Sequence, residues 1–300
     1  MPISHPQLIQ TFLDYLKFQK RYSQHTILAY QNDLTNFFDF IEKQFGEMPF
    51  AEIKPSYIRS WLAGLKENKI ESKSINRKIS TLKSFFKYQQ KQELLQSNPM
   101  ATISSSKVKK RLPQFVAETD INTLFNYVEF PDDWNGRTDR LLFLLLYNTG
   151  IRQAELISLK ETHIDSRNSS IKVLGKGNKE RIVPVSNELT QLVQEYIVEK
   201  RNNIEGADTE ILLVNVNGKK LYPKYIYNVV KKYLSSVTTI DKKSPHVLRH
   251  TFATHLMNHG ANINAVKELL GHSSLAATQI YTHNSIEKLK EIHNKAHPKA

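Results

Sequence analysis

The chain has 300 residues, 40% of them hydrophobic, no cysteine, and a formal net charge of +13. That length allows one large or two ordinary domains with a sizeable core, and the composition excludes collagen-like and low-complexity architectures, disulfide frameworks, zinc fingers and cysteine nucleophiles. The longest apolar run, Leu141 to Tyr147, is too short to cross a bilayer and Met1 to Gln10 shows no signal-peptide pattern, so a soluble cytoplasmic protein is expected, its excess of Lys and Arg favouring polyanions, chiefly nucleic acid.

Residues 1–106 read as short amphipathic helices. Leu8, Ile9, Phe12, Leu13 and Leu16 recur at helical spacing. Ser23 suits the N-cap of a second helix, with Ile27, Tyr30, Leu34, Phe37, Phe38 and Ile41 on one side. Pro55 suits the first turn of a third, which carries Ile58, Trp61, Leu62 and Leu65. A fourth is expected from near Ser74, with Ile75, Ile79, Leu82, Phe85 and Phe86 on one side and Lys73, Arg77, Lys83 and Lys87 opposite. So nearly uniform a positive face is either an ordinary exposed surface or one laid along a phosphate backbone or in a major groove. Asn98-Pro99 ends the helical pattern. Ala101 to Arg111 is polar and basic, as a connector between two compact units would be. The predicted division is a helical DNA-binding domain over 1–98, a basic linker over 99–112 and a larger domain over 113–300.

Beyond the linker, Ile121, Leu124, Phe125 and Val128 mark a helix, and Leu141–Tyr147 reads as a buried one broken at Thr149-Gly150. Ser170 to Leu174 and Glu180 to Val185 are short β-branched stretches flanking Gly175-Lys176-Gly177-Asn178-Lys179. They predict a β-hairpin with a lysine at its tip. Helices are expected around 187–201, 223–236, 246–258, 262–270 and 285–296. The fold class is therefore mainly α with a small β-sheet.

Eight of the eleven histidines lie between His246 and the C-terminus. His246/His250 and His255/His259 sit at i, i+4, a spacing that can hold a metal, but Val247 and Leu256 stand where a zinc peptidase needs Glu. No metal site is expected. In Pro245-His246-Val247-Leu248-Arg249, i, i+3 spacing puts His246 and Arg249 on one face. The pair could clamp a phosphate, or be an interior His beside a salt-bridged Arg. Gly150-Ile151-Arg152-Gln153-Ala154-Glu155 sets an Arg just past a helix break. Leu269-Leu270-Gly271-His272-Ser273 ends another helix at a Gly followed by a His, and Tyr281 stands further on in Thr278-Gln279-Ile280-Tyr281.

These blocks, in this order, closely resemble the tyrosine recombinases, also called phage-integrase-type site-specific recombinases. Gly175-Lys176-Gly177-Asn178-Lys179-Glu180-Arg181 and the ending His297-Pro298-Lys299-Ala300 look most like the Xer branch, which resolves chromosome dimers. The resemblance implies a catalytic set of Arg152, Lys176, His246, Arg249 and His272, with Tyr281 as nucleophile. It implies a two-domain, C-shaped clamp on a duplex DNA recombination site. It also implies a homo- or heterotetramer with a related recombinase, a possible DNA-translocase regulator, no membrane association and no cofactor. In such a site Arg152 and Arg249 stabilise charge at phosphorus and His272 adds a donor. Tyr281 attacks, His246 accepts its proton, and Lys176 protonates the leaving 5′-oxygen. Lys179 and Arg181 are expected to contact phosphate, and Lys73, Arg77, Lys83 and Lys87 to contact DNA. Tyr147 competes as a nucleophile but reads better as core. The competing readings are an integrase or excisionase of a phage or mobile element, a type IB topoisomerase, and a DNA-binding protein without catalysis.

Overall fold

Aromatic and aliphatic residues at helical spacing build two separate cores, one for each half of the chain. The computed structural model describes residues 4–107, 114–175, 179–271 and 295–296. The chain divides into Met1–Arg111 and Leu112–Ala300.

The first unit holds α1 (His5–Asp14), α2 (Gln24–Phe45), α3 (Pro55–Glu67) and α4 (Ser72–Lys91). Pro occupies an early position of α1 and α3, where its missing N–H costs nothing. The Ser23 side chain accepts from the Thr26 N–H and caps α2, as its place in the sequence predicts. Tyr15–Gln19 forms a π-helical turn that apolar spacing did not foretell. The interior is a cluster of rings. Phe12 meets Phe85 edge-on at 5.4 Å, and Phe50 stacks on Phe86 at 5.5 Å. α4 starts at Ser72, two residues before Ser74.

The expected linker is shorter than its polar composition implies. Met100 and Ile103 are buried in the first core, and Asn76 exchanges hydrogen bonds with the Ser106 backbone at 2.8 and 2.9 Å. The two apolar residues among the polar ones hold 99–106 against the first unit.

The second unit begins with α5 (Glu118–Tyr127) and α6 (Trp134–Thr149). α6 buries Leu141, Leu142, Phe143, Leu145, Leu146 and Tyr147, the run that the sequence marks as interior. A short α7 (Gln153–Ile157) follows. Next comes an antiparallel sheet of β1 (Ile164–Asp165), β2 (Ser170–Leu174) and β3 (Glu180–Pro184), in that order. β1, too short to show alternation, was not foreseen. Ile171 faces Val183, Val173 faces Arg181, and Leu174 faces Glu180. The Gly175 N–H donates to the Lys179 carbonyl at 2.8 Å, which closes the hairpin arms below the tip. Then come α8 (Asn187–Asn203), α9 (Pro223–Val237), α10 (Pro245–Asn258) and α11 (Ile263–Leu270). α10 packs on α6, and α11 packs on α10 and β3. Among the described residues no helix is long and apolar enough to cross a membrane.

Candidate active site

The site is built where α6 stops. Gly150 caps α6 in the left-handed conformation, with φ of +57°. A Cβ there would lie 2.4 Å from the Phe252 ring of α10, so glycine is required on two counts. The break releases Ile151 into the core and sets Arg152 as the extended residue that precedes α7.

Glu155, one turn into α7, is buried, and it organises the arginines. Its carboxylate accepts from the Arg152 backbone N–H at 2.8 Å and from Arg152 Nη1 at 2.7 Å. From the other side Arg181 donates through both terminal nitrogens, at 3.1 and 2.8 Å. Burial alone would raise the Glu155 pKa, but these bonds and the adjacent guanidinium charges hold it below the ordinary glutamate range.

Three arginines reach the last carbonyls of α11 and its cap. Arg181 Nε donates to Leu269 O at 2.8 Å, Arg249 Nη2 to Leu270 O at 2.6 Å, and Arg152 Nη2 to Gly271 O at 3.4 Å. These carbonyls lack partners within their helix and carry the negative end of its dipole. Arg249 also donates to Gly150 O at 2.6 Å, so α10 is tied to both helix ends at once. Burial, then the nearby charges of Arg152 and Arg181, lowers the Arg249 pKa to about 10, and it stays cationic at neutral pH.

The placement of the sequence-derived residues is uneven. Arg152 and Arg249 come together, Arg249 buried and the Arg152 side chain 37% exposed. His246 is exposed in a first turn of α10 whose Pro245, Val247 and Leu248 are buried, so i, i+3 spacing gave neighbours along the helix but opposite burial. Lys176, His272 and Tyr281 lie outside the described residues. Lys179 is exposed beside the hairpin tip. Arg181, expected on phosphate, is buried instead. It faces inward because it shares a strand face with Val183, two residues on.

Arg77, expected on DNA, spends its guanidinium on Asp33 of α2, which also accepts from Lys78 and Thr81, both at 2.9 Å. The reason is burial: Asp33 is interior and needs its charge satisfied. Lys73, Lys83 and Lys87 are exposed on α4. Tyr147 is fully buried, and its hydroxyl meets His255 Nδ1 at 3.0 Å while His255 Nε2 meets Val116 O at 3.0 Å. Both ring nitrogens of His255 are thus used within the fold. Among the described residues no cluster of three or more His, Asp or Glu could hold a metal.

Glu155 and Gly271 carry the site's geometry; the sequence marks Gly271 as a helix end but gives Glu155 no role. The available signals were an acidic residue three positions after an arginine at a helix start, and a glycine directly after a helical pattern.

Residues 114–288 match the Phage integrase family, a range that includes all six expected catalytic positions. Residues 9–93 match the family's N-terminal SAM-like domain. The chain belongs to the phage integrase family. This tyrosine recombinase is 40% identical to the tyrosine recombinase XerC of Leptospira interrogans, over 96% of the chain and 92% of the relative. It is 36% identical to the XerC of Thermodesulfovibrio yellowstonii, over 97% and 96%. These relatives place the recombinase on the Xer branch. Its fold is shared with the XerH site-specific recombinase solved on a palindromic difH substrate, at a TM-score of 0.72 and 23% identity, over 96% of this chain and 83% of that one. It is shared too with the Tn1549 transposon integrase solved with transposon right end DNA, at 0.72 and 21%, over 95% and 98%.

Proposed function

We propose that this recombinase binds a specific duplex DNA site, cuts and rejoins it through a 3′-phosphotyrosyl intermediate, and resolves chromosome dimers at cell division. The observation that carries the reading is the gathering of Arg152 and Arg249 at the end of α11, immediately before His272 in the chain. Two fixed guanidiniums stabilise the charge that develops on the non-bridging oxygens as phosphorus becomes five-coordinate. They are held by backbone carbonyls and a buried carboxylate, so little reorganisation is needed when a phosphate arrives.

Tyr281 attacks phosphorus and the bond to the 5′-oxygen breaks. The phenol, with an ordinary pKa near 10, gives its proton to His246, and Lys176 protonates the departing 5′-oxygen. His272 adds a donor to the phosphate. The new bond keeps the phosphodiester at the same energy level, so the reverse attack reseals DNA without ATP or another cofactor. Four protomers, of this chain alone or with a related recombinase, join two sites in the cytoplasm. A DNA translocase is the proposed trigger.

A mobile-element integrase is the second reading, favoured by the fold likeness to the Tn1549 integrase. The higher identity to XerC proteins favours the Xer role.

The test is covalent trapping. On a nicked suicide substrate the wild type should form a protein–DNA adduct that survives a denaturing gel. Tyr281→Phe should bind the same DNA but form none. A persisting adduct would remove Tyr281 from its role.

A further inference from the structure

We propose that Arg181 is a positioning residue for cleavage: by neutralising Glu155 it leaves the charge of Arg152 for the scissile phosphate. This rests on the reading of Arg152 as a phosphate ligand.

The geometry is a relay from sheet to clamp. Arg181 leaves β3 on the inward face and is buried, with its side chain 6% exposed. It meets Glu155 as a fork on a fork, at 3.1 and 2.8 Å. The same carboxylate orients Arg152 through its N–H and through Nη1. The third nitrogen of Arg181, Nε, fixes Leu269 O at 2.8 Å, two residues before the glycine that ends α11. Gly271 is part of the device. Its φ is +63°, and a Cβ there would lie 3.0 Å from Arg181 Cδ and 3.2 Å from Nη1. A side chain there would crowd the arginine and would also have to adopt the left-handed backbone.

Charge gives the arrangement its function. Glu155 is interior and ionised, so it needs a full cationic partner. With Arg181 in place that partner never leaves. Arg152 and Arg181 share the one carboxylate, so the group keeps a net positive charge, which Arg152 presents with Arg249 to a substrate anion. Without Arg181, Glu155 and Arg152 form a one-to-one pair with no net charge. The partly exposed guanidinium would then serve as an internal ion pair, at the expense of the phosphate. Arg181 touches no substrate in this scheme; it acts through Glu155 and Arg152.

The experiment compares single-turnover cleavage of two substrates, one with an ordinary scissile phosphate and one with a neutral methylphosphonate there. A neutral centre has less need of guanidinium charge. Arg181→Met should cleave the phosphate about 100-fold more slowly than wild type, in the range for one lost charge-stabilising donor. On methylphosphonate it should stay within about threefold of wild type. Arg152→Ala should show the same selectivity, and the double variant should be no slower than Arg152→Ala alone, because the two residues act in series.

Wild-type cleavage of phosphate by Arg181→Met would overturn the proposal. So would equal losses on both substrates, or losses that multiply in the double variant, since either marks a general structural role. If Arg152→Ala itself cleaves phosphate at the wild-type rate, the parent reading of Arg152 fails, whatever Arg181 does. Removing one member of a buried pair can prevent folding. In that event Glu155→Gln/Arg181→Met, which leaves no charge unpaired, is compared with wild type. It should retain phosphate cleavage within about tenfold, because Glu155 no longer competes for Arg152. Failure of that variant to fold or to cleave would assign the pair to stability and overturn the proposal.

Discussion

At the scale of single residues, neighbouring cations on one helix have different tasks. Arg77 satisfies the buried carboxylate of Asp33, whereas Lys73, Lys83 and Lys87 face solvent. Arg77→Ala should lower stability by about 1–3 kcal/mol, the cost of leaving a buried polar group short of a partner. Lys83→Ala should leave stability within about 0.5 kcal/mol. Denaturant titration of both variants checks this, and equal stability of the two would contradict the assignment. Glu155 offers a second test, through pH. Its pKa is held below the ordinary 4.5, so its contribution is complete above that value and is lost as pH falls through the lower folded value. Glu155→Gln should therefore flatten the acid limb of a plot of melting temperature against pH. An unchanged slope below about pH 4.5 would show that the carboxylate is not the group being titrated.

At the scale of elements, the short segment after the linker is pinned to α10. Val116 donates its N–H to Thr251 Oγ1 at 3.0 Å, and its carbonyl meets His255 Nε2. A carbonyl only accepts, so His255 is protonated at Nε2 and accepts from the Tyr147 hydroxyl at Nδ1. Burial lowers the His255 pKa below the usual 6.5, so the unfolded chain takes up a proton at higher pH than the folded one does. Stability should fall as pH drops through 6.5, and His255→Gln should weaken that dependence. Denaturation midpoints at about pH 7.5 and 5.5 for both proteins decide the point, and an equal drop would clear His255. The tether bonds the segment entering the second unit to α10, the helix that carries Arg249 and the proposed proton acceptor His246. In the first unit the ring cluster has an equivalent test. Phe85 is fully buried against Phe12, Phe38, Phe50 and Phe86, and Phe85→Ala should cost about 3–5 kcal/mol in thermal unfolding.

At the scale of the whole molecule, the +13 charge should appear as salt dependence. If the exposed lysines of α4 lie on DNA phosphates, Lys73→Ala, Lys83→Ala and Lys87→Ala should each lower the slope of log affinity against log salt by about 1. Fluorescence anisotropy across a salt series measures it. An unchanged slope in all three variants would return that face to solvent.

Much of this molecule is legible in its sequence, because the relevant signals are local. Local signals placed α2 through its Ser23 cap, α3 through Pro55, α6 through its apolar run, and the hairpin arms through β-branched stretches around a Gly-rich turn. The sequence blocks also marked Arg152, Arg249 and the family. Local signals say little about direction in three dimensions. Arg77, a surface cation in fact, is bound to an interior partner, and Arg181 looks like a surface cation but is buried. Their charges are spent on Asp33 and Glu155, partners 44 and 26 residues away. Ion pairing across elements depends on where helix faces and strand faces meet, and residue spacing does not record that. The two short elements that went unseen, β1 and the π-helical turn, lack the length over which periodicity can build. The sequence by itself determined the family and most of the described helices, and it singled out Arg152 and Arg249; the helix expected over 285–296 lies almost wholly outside the described residues. Only the tertiary structure decided that a third arginine is buried beside them, because only packing brings the α7 carboxylate and the end of α11 to one side chain of β3.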